Sequence, residues 1–315
     1  MRFAVIGAGA IGGLLGAQLA QAGMDVTLVA RGAHLEAMRS RGLKVIRPDG
    51  SSFVCRPPCT DDPAEALAAD FTFVTVKAHS LPALAPSLGG TATLVFTQNG
   101  LPWWYLAASG RRLESVDPGG AVAAHVDLGR VIGCIAYPAA EVVEPGVIRH
   151  VEGNRFSLAE PDGSRTPRVL DLAKALTGAG LKAPVQARME HEIWVKLLGN
   201  ATFNPVSALT RATLGQLLAD PLTRRLLSDL MQEVAAVAEA GGVRLGVSVE
   251  RRLQGAGQVP DHRTSMLQDV EAGRPLEVDA LLGSVVELGG RLGVPTPSLE
   301  VVYGLTRQLD HSLAG

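Results

Sequence analysis

MRFAVIGAGAIGGLLGAQLAQAGMDVTLVARG, Met1–Gly32, opens the chain and fixes the architecture of its first half. Arg2 to Ile6 is apolar after its first residue, which suits a central parallel strand covered on both faces. Gly7, Gly9 and Gly12 follow at GxGxxG spacing, and the Ala/Leu-rich stretch after them reads as an amphipathic helix closing at Gly23. A second β-branched run, Asp25 to Ala30, completes a βαβ unit. Each glycine lacks a side chain for its own reason. The first makes the tight turn, the second lets backbone approach a pyrophosphate, and the third lets the helix pack on the strand. Amide groups at the helix start then face negative charge. Gly7, Ala8, Gly9, Ala10, Ile11 and Gly12 are therefore expected to hold a dinucleotide.

Arg31 stands in LVARG, directly after the second strand. NAD-preferring sites usually place Asp or Glu there to bind the ribose hydroxyls. A guanidinium pairs instead with the 2′-phosphate of NADP, which a carboxylate would repel. NADP(H) is the expected cofactor; a solvated arginine is the alternative reading.

Apolar runs at Phe71 to Val76 and Thr93 to Thr97 continue the alternation of a doubly wound α/β sheet. Phe53 to Cys55, Val131 to Ala136, Gly146 to His150 and Phe156 to Ala159 read as peripheral strands. TVKAHS and TQNGLP follow the two longer runs, so Lys77 and Asn99 fall at the carboxyl ends of neighbouring strands. Open α/β sheets bind ligands at that edge, and both residues are assigned to the cofactor.

With 315 residues, 47% of them hydrophobic, the chain is long enough for two cores. The reading is a Rossmann-type domain over 1–186, binding NADP, and an all-helical substrate domain over 187–315. A net charge of -2, from 29 basic and 31 acidic side chains, gives no field for a polyanion and excludes nucleic acid as a partner. Cys55, Cys59 and Cys134 read as reduced thiols, with no ligand set for a metal. No apolar run is long enough to span a bilayer, so no membrane partner is expected and the location expected is cytoplasmic. A homodimer is the default assembly.

From about Met189 the spacing becomes helical, as in Leu222, Leu226, Leu230, Val234 and Val237. Asp220 and Pro221 supply an N-cap and a preset first turn, and Gly241-Gly242 ends that helix. EIWVKLLGNATFNPVSAL, 192–209, puts Lys196, Asn200 and Asn204 at successive spacings of four, a polar line among apolar neighbours. Such a line belongs in a partly buried cleft or on a solvated face. Pro205 predicts a bend or break. HRTSMLQDVEAGRPLEVDALLG, 262–283, adds Ser265, Gln268, Asp269, Glu277 and Asp279; singly these read as a cap, surface charges and a helix-start carboxylate.

Together these segments resemble the ketopantoate reductase (2-dehydropantoate 2-reductase) family over essentially the whole chain. GAGAIGG, VK with QNG, WxKxxxNxxxNPxxAL and SMLQDxxxGRxxExD carry the match. The resemblance implies a Rossmann domain followed by a helical domain, with the active site in the cleft between them. It makes Lys196 the proton donor and Asn200 and Asn204 substrate contacts. Ser265 and Glu277 match residues that bind or orient substrate, Glu277 being placed with Lys196 in the catalytic pair. Lys77 and Asn99 fall at the junction of cofactor and substrate, and Arg31 contacts the NADP phosphate.

The chemistry fits those residue types independently. Reduction of a small 2-keto acid needs hydride at the carbonyl carbon and a cation or acid for the developing alkoxide. His191 and His262, the competing acids, have no carboxylate at fixed spacing. After QNG the chain is long and aromatic, with Trp103, Trp104 and Tyr105 walling a cleft, supporting a subunit contact or packing in a core. Thr213 and Leu214 stand where some family members offer a further polar contact. Three functions remain open: reduction of 2-dehydropantoate to pantoate, reduction of another 2-keto acid, and non-catalytic sensing of NADP(H).

Overall fold

The computed structural model describes Met1–Ala314. Its first half begins as the opening pattern requires: β1 (Arg2–Ile6), α1 (Ala10–Gln21) and β2 (Asp25–Val29), the strands pairing in parallel. There follow α2 (Gly32–Arg41), β3 (Leu43–Ile46), β4 (Ser52–Cys55), β5 (Cys59–Thr60), α3 (Pro63–Ala66), β6 (Phe71–Val74), α4 (Leu81–Leu84) and β7 (Thr93–Phe96). After a long connection come β8 (Val131–Ala136), β9 (Ala139–Glu144), β10 (Val147–Glu152), β11 (Phe156–Ala159) and α5 (Pro167–Gly178).

A seven-stranded sheet runs β11-β8-β7-β6-β1-β2-β5. All its pairs are parallel except β11 with β8. From β1 the chain steps outward to β2 and β5, then returns to the other side of β1 for β6, β7 and β8. That reversal opens a crevice at the carboxyl ends of β1 and β6, where such sheets bind ligands.

Val131–Ala136 is not peripheral: all six residues are buried, and the strand lies inside the sheet. A second sheet, β4-β3-β10-β9, joins two of the expected peripheral strands to two that were not expected, Leu43–Ile46 and Ala139–Glu144. It also changes the reading of α1. That helix is not amphipathic, because it contacts β1 and β2 on one side and β3, β4, β9 and β10 on the other. Gly12, Gly13, Leu14, Leu15, Gly16, Ala17 and Leu19 are all buried. A side chain at Gly13 would meet the end of Ile148 and one at Gly16 the end of Leu28, so glycine at both positions lets α1 lie close to the two sheets as they stand.

The second half is helical: α6 (Met189–Asn200), α7 (Phe203–Thr210), α8 (Leu214–Ala219), α9 (Pro221–Ala240), α10 (Val249–Ala256), α11 (Ser265–Glu271), a π-helical turn at Asp279–Gly283, α12 (Ser284–Leu292) and α13 (Pro297–Ala314). Asp220 caps α9 as expected, accepting from the amides of Leu222 and Thr223 at 2.9 Å each. The buried face of α9 is Leu227, Leu230, Met231, Val234 and Val237, whereas Leu222 is 77% exposed. Successive steps of four drift around a helix, so the expected stripe leaves the core at its first turn. Among the described residues no helix is long and apolar enough to cross a membrane.

Contacts group the chain into two compact units. The first holds Met1–Gln98, Ala107–Gly110 and Gly120–Met189; the second holds Asn99–Leu106, Arg111–Gly119 and the chain from Glu190. Part of the long connection after β7 thus belongs with the helices.

Candidate active site

In the first unit, the turn after β1 is tightened from three sides. Gly7 has φ +98°, which a side chain resists, and a Cβ there would meet Val76. The amides of Gly7 and Ala8 both donate to the Val29 carbonyl, at 3.0 and 2.9 Å. A Cβ at Gly12 would overlap the Thr75 hydroxyl and the Gly7 carbonyl. Gly9, the N-cap of α1, gives no side-chain cap, so the first-turn amides of α1 keep donor capacity for a ligand.

Arg31 is the N-cap residue of α2, exposed, two residues past the end of β2. Lys77 is half-buried just beyond β6. Two residues without an expected role organise this edge. The Thr75 hydroxyl lies 3.1 Å from the Ile6 carbonyl and 2.7 Å from that of Gly7. The Gln98 side-chain amide donates to the carbonyls of Val74 and Val76, at 2.8 Å each, bracketing Thr75 just before Lys77. His34 of α2 reaches the Ala8 carbonyl at 3.0 Å. Of the three, only Gln98 had a sequence signal, its place in QNG.

The second unit gathers the remaining expected residues. Asn99 donates through Nδ2 to Glu277 Oε2 at 3.1 Å, so the amide expected at the cofactor also holds the carboxylate expected to be catalytic. Glu277 is half-buried just before the π-helical turn. Lys196 and Asn200 lie one turn apart on α6, both half-buried, beside the fully buried Trp194. Asn204 does not continue that helix. α6 ends at Asn200, and Asn204 opens the first turn of α7 with Pro205 after it. Proline has no N–H for the Ala201 carbonyl and its ring crowds it, so the break precedes Pro205 by one turn. The Thr202 hydroxyl bonds the Leu198 carbonyl at 2.8 Å across the break. Asn204, 6% exposed, points its amide at Ser265 Oγ, 3.4 Å away.

Ser265 is not the cap of α11. Thr264 takes that role, its hydroxyl accepting from Leu267 N at 3.2 Å, which leaves the exposed Ser265 hydroxyl available. Nor is Asp269 a surface charge: it is buried and pairs with Arg274 at 3.0 Å. Asp279 accepts from the Tyr303 hydroxyl at 2.6 Å. His191 bonds the Arg244 carbonyl at 3.1 Å.

The aromatic segment packs within this unit. Trp103 and Trp104 are buried, and Tyr105 accepts from Trp194 Nε1 at 2.7 Å, two residues before Lys196. Leu101 N donates to the Ala280 carbonyl at 3.2 Å. Further along, Glu287 of α12 accepts from Glu114 N, Ser115 N and Ser115 Oγ at 2.9, 2.9 and 2.7 Å. Burial pushes the Glu287 carboxyl up, but these hydrogen bonds and nearby Arg291 outweigh it and hold it below the usual value. The segment beginning at Asn99 is therefore strapped to the π-helical turn, α6 and α12.

Two family models match: "Ketopantoate reductase PanE/ApbA" over residues 3–163 and "Ketopantoate reductase PanE/ApbA C terminal" over 188–310. The chain is 50% identical to a 2-dehydropantoate 2-reductase of Mesorhizobium japonicum, covering 98% of each chain. It is 33% identical to the Halobacterium salinarum protein of the same name, again over 98% of each. A Ralstonia solanacearum crystal structure, provisionally assigned as a ketopantoate reductase, superimposes with TM-score 0.92 at 39% identity, covering 99% of this chain and 98% of that one.

Proposed function

The chain belongs to the ketopantoate reductase family, and from that premise we propose that it reduces 2-dehydropantoate to pantoate with NADPH, a step towards pantothenate and coenzyme A. The first unit fits the cofactor by its own chemistry. Its glycine turn is a cradle that side chains at Gly7 and Gly12 would fill, and the start of α1 has no competing cap. Gly7 to Gly12 hold the pyrophosphate, Arg31 holds the 2′-phosphate, and Lys77 and Asn99 serve the nicotinamide end. In domain terms, 1–186 serves NADP and 187–315 serves the substrate.

When bound, NADPH supplies the hydride that goes to the keto carbon. The protein's part is to hold the 2-keto acid and to manage the charge that develops on its oxygen. Lys196 as an ammonium stabilises the alkoxide and gives it a proton, a role worth about 10²–10⁴ in rate for a positioned acid. Asn200, Asn204 and Ser265 hold the oxygens of the substrate without adding net charge. Glu277 accepts a hydrogen bond from the substrate hydroxyl and, through its charge, favours the ammonium form of Lys196. The observation that best supports this reading is the Asn99–Glu277 hydrogen bond, which fixes a carboxylate rotamer in the unit that also carries Lys196.

A panel of 2-keto acids with NADPH, followed by loss of nicotinamide absorbance, tests the proposal. The expected outcome is a specificity constant for ketopantoate well above the others. A better branched or aromatic 2-keto acid would reassign the substrate, and tight NADPH binding without turnover would make the chain a sensor. We also infer a cytoplasmic, homodimeric enzyme. Light scattering checks the assembly, a single-chain mass removing the dimer; fractionation checks the location.

A further inference from the structure

His34 lies in the first turn of α2, three residues after Arg31, and both of its ring nitrogens are engaged. Nδ1 is 3.1 Å from the Gly146 amide, and a backbone amide only donates, so Nδ1 carries no proton. Nε2 is 3.0 Å from the Ala8 carbonyl, which only accepts, so Nε2 carries one. The two contacts together define a neutral imidazole in a single tautomer.

Both partners are structurally committed. Ala8 is the residue between the first two glycines of the turn and is 1% exposed. Its carbonyl lies against His34 and the Gly13 backbone, turned into the protein. Gly146 is the tight turn between β9 and β10, at φ +79°, with Ala37 of α2 occupying the place of its Cβ. Arg41 of the same helix donates to the Pro145 carbonyl at 3.2 Å. The ring is thus wedged between the glycine turn of one sheet and a hairpin of the other.

The peptide that carries the Ala8 carbonyl joins Ala8 to Gly9, whose lack of a Cβ eases its rotation, and its amide, Gly9 N, donates to the Gly7 carbonyl at 2.6 Å. Carbonyl and amide of a trans peptide point in opposite directions, so a flip would break both that bond and the one to His34 and turn the Ala8 oxygen out of the protein. We propose that His34 is a positioning residue of the cofactor site: it pins the Ala8 carbonyl inward, so that a pyrophosphate meets the uncapped first-turn amides of α1 and not that oxygen. The second sheet takes part through Gly146, which holds the ring. This rests on the reading of Gly7–Gly12 as a pyrophosphate turn.

The test measures NADPH binding directly by fluorescence or calorimetry, alongside steady-state kinetics. His34→Ala is expected to weaken NADPH binding by about tenfold or more, the effect of one lost hydrogen bond that fixed a ligand-facing peptide. At saturating NADPH, kcat and the keto-acid KM should stay within about twofold, because nothing at Lys196 or Glu277 has changed. His34→Gln, whose amide offers one donor and one acceptor, should recover most of the affinity; a merely space-filling role would be met equally by His34→Leu. Equal NADPH affinity in folded His34→Ala and wild type would overturn the inference while leaving the turn's function intact. Wild type without NADPH affinity would instead remove the reading of the turn. Ring-nitrogen NMR of the wild-type protein does not depend on any variant folding: the Nε2–H tautomer is expected near neutral pH, and the Nδ1–H tautomer or imidazolium would overturn it.

Discussion

On the proposed reading Lys196 serves the substrate and Arg31 the cofactor, so their variants should fail differently. Lys196→Ala is expected to bind NADPH as wild type does while losing about 10²–10⁴ in kcat, the usual contribution of a positioned acid. Single-turnover rates with prebound NADPH check this, and wild-type turnover would remove Lys196 from the mechanism. Arg31→Ala should lower kcat/KM for NADPH by about 10–100-fold with little change for NADH, since only the first carries the 2′-phosphate. Equal specificity constants for both cofactors in the wild type would refute that role. The placement of these residues was legible because their types and spacings are local: a basic residue after a strand, and a lysine and asparagine four apart on α6. Thr75 and His34 were not. Their partners are backbone carbonyls and amides brought from far along the chain, Gly7 for Thr75 and Gly146 for His34. Any residue type can supply a backbone group, so no spacing records such a contact.

Among the elements, the segment Asn99–Leu106 with Arg111–Gly119 carries the most consequence, since it begins at the residue that holds Glu277. Gly100, at φ +85°, sits so close that a Cβ would collide with the Ala280 carbonyl oxygen. Gly100→Ala is therefore expected to displace the strap, costing about 1–3 kcal/mol for the strained backbone alone and lowering kcat/KM for the keto acid by disturbing Asn99 and Glu277. By contrast Asp220→Ala, which removes only the α9 cap, should cost about 1 kcal/mol with unchanged kinetics. Urea denaturation and steady-state kinetics on both variants check the contrast. Gly100→Ala with wild-type kcat/KM would disconnect the strap from the site. The α9 cap and its terminal glycines were readable from sequence because caps are local chemistry. The burial of α1 on both sides was not, because it depends on two peripheral-looking strands pairing with two others, Leu43–Ile46 and Ala139–Glu144, into a separate sheet, and such pairing is not a local signal.

For the whole molecule, the pattern of shifted groups sets where along the pH scale the fold is strongest. Both units carry shifted groups on the acid side and on the alkaline side. Burial lowers His34 in the first unit below its ordinary 6.5, although its bond to Ala8 opposes this. The unfolded chain therefore binds the extra proton first, and stability rises with pH through that window, being fully present above 6.5. Glu287 in the second unit is held below 4.5 by Ser115, Glu114 and Arg291 against the effect of burial, so its contribution is lost as pH falls through the acid range. On the alkaline side the neutral forms are favoured. Burial first, then neighbouring Cys59, pushes the Cys55 thiol from 9.0 to about 11. Burial first, then Asp279, pushes Tyr303 from 10.0 to about 12. Unfolded chains lose these protons earlier, so stability falls as pH climbs past 9 and again past 10. The expected profile is a plateau between roughly pH 7 and 8.5 with a limb on either side. Urea midpoints across pH, read with one probe in each unit, measure it. His34→Gln cannot take up that proton, so it should flatten the first unit's limb below about pH 6.5 and leave the second unit's profile alone. An unchanged acid limb in that variant would mean that another group sets the first unit's acid sensitivity.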